Sequence, residues 1–317
     1  MSGPRILLLG AAGQLGHELR YSFSGAGELL AHDRHTADLN SEEQLRAAIR
    51  NANPDMILNA AAYTAVDRAE SEPEFAYAIN AHAPRVLAEE AARRDILLVH
   101  YSTDYVFDGS KAGPWSEEDT PHPLNIYGAS KLAGEEAIRR AGCKHLIFRT
   151  SWVYAPHGRN FLLTMLRLGL ERDRLNIVND QIGAPTTVAV LAQATRSIVD
   201  GIFASQFGAA DQWSGLYHMT CAGQTSWHGF AEAIFKGAEE LALLRGARPQ
   251  VLPIPTSEYP TPAKRPHNSV LSNHKLQHVF GIQLPEWQSA LQTALLALQN
   301  QNSTAAGIDP VLIVNRD

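Results

Sequence analysis

Short apolar segments alternate with amphipathic segments through the first half of the chain. The apolar segments cover residues 6–9, 28–32, 56–59, 96–100 and 145–148. Between them, apolar residues recur at helical spacing over residues 13–21, 41–51, 73–94 and 125–141. Continuous apolar strands separated by helices predict a parallel sheet that is covered on both faces. Right-handed crossovers then lead to an α/β fold with a doubly wound, Rossmann-type sheet.

The pattern changes after Arg149, where apolar runs become isolated and prolines cluster between residues 249 and 266. This change predicts a smaller, discontinuous substrate-binding lobe. We expect residues 1–153 and 187–219 to form the dinucleotide-binding domain, with a helix over 187–205. The lobe would then comprise residues 154–186 and 220–298. Residues 299–317 are interpreted as a tail, whose apolar run at 310–314 fits either a frayed end or an added edge strand.

Composition narrows the function classes. The 317 residues are 45% apolar and 19% charged, with a net charge of −6, which are the values of a globular protein. The absence of a basic block argues against nucleic acid or an anionic membrane as a partner. Two cysteines make no disulfide framework, and the 13 histidines show no metal-ligand spacing, so no metal site is predicted. The first apolar run is too short for a signal peptide or a membrane span, so we expect a cytoplasmic protein.

A glycine-rich loop joins the first strand to the first helix. It reads GAAGQLG, with glycines at 10, 13 and 16 around Gln14 and Leu15. Gly10 permits a tight turn, Gly13 lets the backbone approach a pyrophosphate, and Gly16 allows the helix to pack closely on the strand. The helix N-terminus then offers free N–H groups to the phosphates. The loop therefore predicts dinucleotide binding, with a purely structural turn as the alternative.

The end of the second strand bears on the choice of cofactor. Asp33 suits a hydrogen bond to a ribose 2′-hydroxyl, as in NAD, whereas the adjacent Arg34 suits a 2′-phosphate. Asp38 and Leu39 are placed to flank the adenine. The sequence therefore leaves NADH and NADPH both open.

A tyrosine and a lysine are spaced for joint chemistry. Tyr127 and Lys131 fall on one face of a predicted helix, where a cation one turn away is expected to lower the tyrosine pKa from about 10. Such a pair also occurs by chance on surfaces. Here it follows the fourth predicted strand, beyond which Thr103 lies. Because doubly wound sheets bind ligands at the carboxyl ends of their strands, we expect Thr103 to stand beside Tyr127.

Taken together, these features resemble the extended short-chain dehydrogenase/reductase superfamily. Four blocks resemble, more narrowly, the family of dTDP-4-dehydrorhamnose reductases, over about residues 5–298. The blocks are NAAAYTAVDRAE at 59–70, YSTDYVFDG at 101–109, RTSWVY at 149–154 and YPTPAKRPHNS at 259–269. The resemblance implies NAD(P)H-dependent reduction of the C4 ketone of dTDP-4-dehydro-L-rhamnose.

The resemblance also implies roles for individual residues. Tyr127 would be the proton donor, Lys131 would hold the nicotinamide ribose, and Thr103, rather than Ser102, would bind the substrate oxygen. The expected cofactor-binding residues are Gly10, Gly13, Gln14, Leu15, Gly16, Asp33, Asp38, Leu39, Ala61, Ala62, Tyr63, Thr64, Tyr127 and Lys131. The expected substrate-binding residues are Thr103, Asp104, Tyr105, Trp152 and Arg265. Core packing is the alternative for Trp152, and a solvated cation for Arg265. Asp67 and Glu70 are interpreted as helix-surface charges.

Partners and alternatives follow from the same resemblance. It implies a nucleotide-sugar substrate, a homodimer and a divalent metal such as magnesium, for which the sequence offers no site. One alternative is another nucleotide-sugar epimerase or dehydratase, although a dehydratase commonly needs an Asp-Glu pair where this chain has Asp104 and Tyr105. The other alternative is a non-catalytic regulatory subunit like the β subunit of methionine adenosyltransferase.

Overall fold

The strands of the protein are short, and the first five fall where the apolar segments predict them. The structure is a computed structural model that describes residues 3–244 and 246–305. Its strands are β1 (Arg5–Leu9), β2 (Glu28–His32), β3 (Met56–Asn59), β4 (Leu97–Thr103), β5 (His145–Thr150), β6 (Val153–Tyr154), β7 (Arg174–Val178), β8 (Ile182–Gly183), β9 (Thr186–Thr187), β10 (Gly215–His218), β11 (Thr225–Ser226) and β12 (Gln250–Ile254).

The helices carry the amphipathic segments. They are α1 (Gln14–Ser22), α2 (Glu42–Ala52), α3 (Val66–Ala69), α4 (Pro73–Tyr77), α5 (Ala83–Arg94), α6 (Ile126–Ala141), α7 (Phe161–Glu171), α8 (Val188–Phe203), α9 (Ala210–Trp213), α10 (Trp227–Glu240), α11 (His274–Phe280) and α12 (Trp287–Ala305). A π-helical turn over Ala78–His82 joins α4 to α5, so the segment predicted as one helix contains an inserted residue.

Six strands form a single parallel sheet in the order β2-β1-β3-β4-β5-β10. The order reverses at β1, which pairs with β2 on one side and β3 on the other. Crevices at such reversals are where open α/β sheets bind ligands. Apolar clusters cover both faces of the sheet, one including Leu19 of α1 and Leu191 of α8, the other including Ile49 of α2 and Leu87 of α5. The predicted doubly wound α/β fold is confirmed.

A third apolar cluster lies apart from the sheet. It joins α7, α10 and α12 around Leu162, Phe230 and Leu291. Helix α12 continues to Ala305, so its last turns lie within the residues predicted as a tail. The predicted edge strand or frayed end at 310–314 lies outside the described residues. Among the residues described, no helix is long and apolar enough to cross a membrane.

Candidate active site

The carboxyl end of β4 presents the substrate-side residues of the predicted site. Thr103 ends the strand with extended backbone, and a 3-10 turn over Asp104–Val106 follows. The Thr103 hydroxyl donates to Asp104 Oδ1 at 3.0 Å and accepts from the Tyr105 backbone N–H at 3.2 Å. Thr103 and Asp104 are buried. Burial raises the pKa of the Asp104 carboxyl to about 6, against hydrogen bonds from Ser269 and Thr103 that lower it.

The start of α6 is fixed against this turn. Asn125 caps the helix by accepting from the Gly128 backbone N–H at 2.8 Å, and its amide donates to the Lys264 carbonyl at 2.7 Å. A Cβ on Gly128 would lie 2.1 Å from the Tyr105 carbonyl oxygen, so only glycine allows this approach. The rings of Tyr105 and Tyr127 consequently meet edge to face, with centroids 5.5 Å apart.

Tyr127 and Thr103 converge, as we expected from the position of Thr103 at the carboxyl end of a strand. Burial raises the pKa of Tyr127 to about 12, a hydrogen bond with Thr103 lowers it, and the Asp104 charge raises it. The phenol is therefore protonated at neutral pH. The expectation that Lys131 lowers this pKa is wrong for this arrangement of the site, because burial dominates and the lysine turns towards β4.

Lys131 is buried behind the phenol. Its Nζ donates to the Tyr101 carbonyl oxygen at 2.6 Å and lies 3.2 Å from His100 Nε2. Burial lowers its pKa to about 8, while the charge of Glu135 raises it. Lysine pKa values respond strongly to burial, so this amine titrates near neutrality.

The glycine loop has the geometry of a phosphate cradle. Gly10 has a φ of +80°, and a Cβ there would lie 2.6 Å from the Ala61 backbone nitrogen. A Cβ on Gly16 would lie 2.0 Å from the Gly10 carbonyl oxygen. Gly13 is the N-cap of α1 and makes no side-chain cap, so the first N–H groups of the helix, from Gln14 onward, are available to an anion. These residues fit a dinucleotide pyrophosphate.

The side chain of Gln14 is hydrogen-bonded to another segment of the protein. Its Oε1 accepts from Asn160 Nδ2 at 2.8 Å, and its Nε2 donates to the Arg159 carbonyl at 3.3 Å. Gln14 thereby ties the glycine loop to the segment before α7. The pyrophosphate contact expected of this residue would come from its backbone.

The residues predicted near the adenosine lie after β2. The Asp33 carboxylate accepts from the backbone N–H groups of His35 and Thr36, at 2.9 and 3.2 Å. These hydrogen bonds lower the Asp33 pKa. Asp38 Oδ1 accepts from the Asn40 backbone N–H at 2.9 Å. Leu39 is buried in the cluster beneath α2, so its side chain packs in the core.

The segment after β3 faces the glycine loop. The Ala61 backbone N–H donates to Asn59 Oδ1 at 3.2 Å. Asn80, from the π-helical turn, accepts from the Tyr63 backbone N–H at 2.9 Å and donates to the Tyr63 carbonyl at 3.0 Å. Asn80 also donates to Ser130 on α6 at 3.1 Å. Asn80 therefore holds the predicted cofactor segment, which includes Ala62 and Thr64, against the helix of Tyr127.

The two remaining substrate-side residues are occupied within the protein. Trp152 has a φ of +47° and stacks on Trp227, with ring centroids 3.6 Å apart. The Arg265 guanidinium donates to both carboxylate oxygens of Asp67, at 3.1 and 2.8 Å. Glu70 accepts from the Ile126 backbone N–H at 2.8 Å. Asp67 is partly exposed and Glu70 is exposed, as expected of surface charges, but both also bind other segments of the site.

Comparison with known proteins shows which family this chain belongs to. The family model described as "RmlD substrate binding domain" matches residues 4–300. A dTDP-4-dehydrorhamnose reductase of Burkholderia thailandensis is 48% identical over 311 residues, covering 94% of this chain and all of the relative. One from Escherichia coli K12 is 45% identical over 294 residues, covering 92% and 96%. The chain belongs to the dTDP-4-dehydrorhamnose reductase family.

The fold agrees with solved members of that family. The crystal structure of the Bacillus anthracis dTDP-4-dehydrorhamnose reductase, in complex with NADP, superimposes with a TM-score of 0.84 at 35% identity. The comparison covers 93% of this chain and 99% of that one. The resemblance drawn from the four sequence blocks is confirmed.

The magnesium that the family resemblance implies does not fit the residues found. In the part of the chain that the structure describes, one group of three metal-ligating side chains comes together, from His17, Glu18 and His157, with ligand atoms within 4.8 Å of one another. Two imidazoles and a single carboxylate differ from the oxygen ligands that Mg²⁺ prefers. No step below uses a metal. Residue spacing could not indicate this cluster, because 140 positions separate His17 from His157 in the chain.

Two residues contact the predicted site of this reductase but were not predicted from the sequence. The Ser269 side chain lowers the pKa of the Asp104 carboxyl, and His100 contacts Lys131. His100 did carry a signal, since it is a polar residue inside the otherwise apolar run of β4. Ser269 ends one of the four blocks that carry the family resemblance, but this contact was not predicted, because only the fold brings the 259–269 segment to β4.

Proposed function

We propose that this protein reduces the C4 ketone of dTDP-4-dehydro-L-rhamnose to dTDP-L-rhamnose, the last step of dTDP-L-rhamnose synthesis, with NADPH or NADH. The observation that carries the proposal is the convergence of the Thr103 and Tyr127 hydroxyls beside a phosphate cradle, in a chain of this family. The nicotinamide cofactor, when bound, supplies the hydride that the C4 carbon accepts. The protein supplies the proton and the binding geometry.

Tyr127 gives its phenolic proton to the ketone oxygen, which becomes the C4 hydroxyl. The phenol is protonated at neutral pH, which is the form that a general acid needs. Thr103 turns its hydroxyl from Asp104 to the same oxygen, and so stabilises the negative charge that develops there. Lys131 holds the nicotinamide ribose next to the phenol.

We assign one set of residues to the cofactor and another to the substrate. We assign the pyrophosphate to the backbone of residues 13–16, and the adenosine end to Asp33, Asp38, Leu39 and residues 61–64. Asp33 offers an acceptor for a ribose hydroxyl, as in NADH, and Arg34 a cation for a 2′-phosphate, as in NADPH, so the proposal names either cofactor. Asp104, Tyr105 and Trp152 would contact the sugar, and Arg265 the substrate diphosphate, for which its planar fork is suited.

The proposal also covers the domain boundaries, the oligomeric state and the cellular location of the protein. We assign residues 1–153 and 187–219 to the dinucleotide-binding domain, and 154–186 and 220–298 to the substrate lobe. Family resemblance supports a homodimer, which light scattering on the purified protein tests. We propose a cytoplasmic location, because a nucleotide sugar and a nicotinamide dinucleotide are charged molecules that do not cross membranes unaided. Fractionation of the producing cells tests it.

A single assay tests the activity. NADPH and NADH absorbance at 340 nm is followed on addition of dTDP-4-dehydro-L-rhamnose, with stoichiometric loss expected. An epimerase or dehydratase returns the hydride to the sugar, so it would convert substrate with no net loss of absorbance. No turnover, with co-purification of a methionine adenosyltransferase, would support the regulatory-subunit alternative instead.

A further inference from the structure

Three side chains that can bind a metal ion meet between α1 and the segment that precedes α7. His17 and Glu18 are successive residues of α1, and His157 lies in the other segment. The ligand atoms of all three lie within 4.8 Å of one another. The imidazole rings of His17 and His157 are tilted against each other, with centroids 4.6 Å apart. None of the three is assigned to the cofactor or the substrate, so this cluster does not depend on the proposed function.

Hydrogen bonds hold the His157 segment against the start of α1. The Asn160 amide donates to the His157 carbonyl at 3.0 Å and to Gln14 Oε1 at 2.8 Å. Gln14 Nε2 in turn donates to the Arg159 carbonyl at 3.3 Å. The two pieces of chain are therefore fixed against each other by contacts that need no ion. A site whose ligands are held by such supporting contacts loses less freedom when it binds.

The side chains of the cluster are not used by other parts of the protein. The His157 Nε2 atom is inaccessible to solvent and has no hydrogen-bond partner among the residues described. Over the same residues, the Glu18 carboxylate and the His17 ring make no hydrogen bond or ion pair. A buried polar atom that lacks a partner costs free energy, and a bound ion is one way to satisfy it. The ligand atoms are therefore available to a cation.

The chemistry of the cluster selects the kind of cation. Two imidazole nitrogens and one carboxylate oxygen form a ligand set that zinc accepts, with water completing the tetrahedron. Tetrahedral ligands about 2.0–2.1 Å from zinc lie about 3.4 Å apart, so small side-chain rotations bring the three atoms to that spacing. We propose that His17, Glu18 and His157 bind one zinc ion, which cross-links α1 to the segment before α7.

The expected effect of this ion is on stability. The cross-link joins positions 140 residues apart, and the complete ligand set comes together only in the folded chain. An ion that binds the folded chain more tightly than the unfolded one raises the free energy of unfolding. Helix α1 is also the helix whose first N–H groups face the phosphate cradle. The ion would therefore stabilise the position of that helix.

The test uses the whole protein without an affinity tag or substrate, so it does not depend on turnover. The protein is stripped of metal with a chelator and titrated with Zn²⁺ by calorimetry, and in parallel with Co²⁺. We expect one zinc ion per chain, a higher melting temperature with zinc, and visible absorption bands of tetrahedral Co²⁺. Millimolar Mg²⁺ should not displace the zinc, because Mg²⁺ prefers oxygen ligands.

Variants locate the bound ion. Loss of an outer-shell partner weakens metal binding roughly 10–100-fold, so loss of a ligand in His157→Gln or His17→Gln should weaken it at least as much. His278→Gln is the matched control, because His274 and His278 form another histidine pair, on α11, with ring centroids 6.4 Å apart. It should leave the zinc affinity unchanged.

Two results would overturn the proposal. One is a wild-type protein that binds no stoichiometric zinc, which is decisive even if no variant folds. The other is a folded His157→Gln variant with wild-type zinc affinity, above all if His278→Gln has lost it. If zinc binds as expected and no ketosugar is reduced, the metal site stands and the proposed function fails.

Discussion

Arg265 and Asp67 join the two sides of the cleft through a two-pronged ion pair, with a shortest distance of 2.8 Å. Asp67 also accepts from the Ala263 backbone N–H at 3.2 Å, so the 259–269 segment is held to α3 at two points. Hydrogen bonding to Arg265 lowers the Asp67 pKa, which keeps the carboxylate charged. A substrate diphosphate that reaches this guanidinium must either share it with the Asp67 carboxylate or displace that carboxylate.

Arg265→Gln tests whether this guanidinium binds the nucleotide diphosphate. We expect KM for dTDP-4-dehydro-L-rhamnose to rise roughly tenfold or more, the effect of losing hydrogen bonds to a charged group, with a small change in kcat. The NADPH dissociation constant should be unchanged. Asp67→Asn is the control, because it breaks the ion pair and keeps the guanidinium. Equal KM increases in both variants would mean that the pair only holds the segment.

Tyr127→Phe removes the phenolic oxygen and keeps the ring against Tyr105. If Tyr127 is the general acid, kcat should fall roughly 10²–10⁴-fold while NADPH affinity stays nearly constant. Steady-state kinetics and cofactor fluorescence titration measure the two quantities. Tyr105→Phe makes the same change on the adjacent ring and should retain most of kcat. A loss below tenfold in Tyr127→Phe would remove this residue from the mechanism.

The fold was predictable because its signals are local. A buried parallel strand must be apolar along its whole length, and β4, every residue of which is buried, shows this in sequence. The glycine loop was equally readable, since Gly10 and Gly16 are required by backbone contacts within a short stretch of chain. The last turns of α12 were not predicted, because the residues after 298 are mostly polar.

The site was predictable only where motifs follow strands. Thr103 and Tyr127 could be brought together from the rule that ligands bind at the carboxyl ends of the strands. The partnership of Arg265 with Asp67 could not, because 198 positions separate them and no period links the two segments. The raised pKa of Tyr127 was not predicted either. The spacing of Tyr127 and Lys131 does not show that the lysine turns towards Tyr101 and His100.

Asp104 should make stability fall as pH rises through the acidic range. Its folded-state pKa of about 6 exceeds its model-peptide value of 3.8, so the folded protein binds this proton more tightly than the unfolded chain does. The stabilisation is complete below about pH 4 and is lost by about pH 6 to 7, a change of up to roughly 3 kcal/mol. Asp104→Asn keeps an acceptor for Thr103 and cannot titrate. Urea unfolding of both proteins at pH 4.5 and 7 should show wild type losing stability relative to the variant, and the opposite trend would contradict the assignment.

Glu135 and Arg149 form a buried ion pair whose disruption should unfold the protein more readily than any surface change. Both side chains are almost fully buried, the guanidinium donates twice to the carboxylate, and it also lies 5.0 Å from the centre of the Phe107 ring. Glu135→Gln leaves the arginine charge without its counter-ion, which should lower the free energy of unfolding by about 3–5 kcal/mol. Glu136→Gln is the control, since Glu136 pairs with Arg140 at the surface and should cost about 0–1 kcal/mol. Urea unfolding at neutral pH measures both. If the two variants lost equal stability, the buried pair would contribute no more than a solvated one, and the anchoring of β5 to α6 beneath the site would have to come from apolar packing alone.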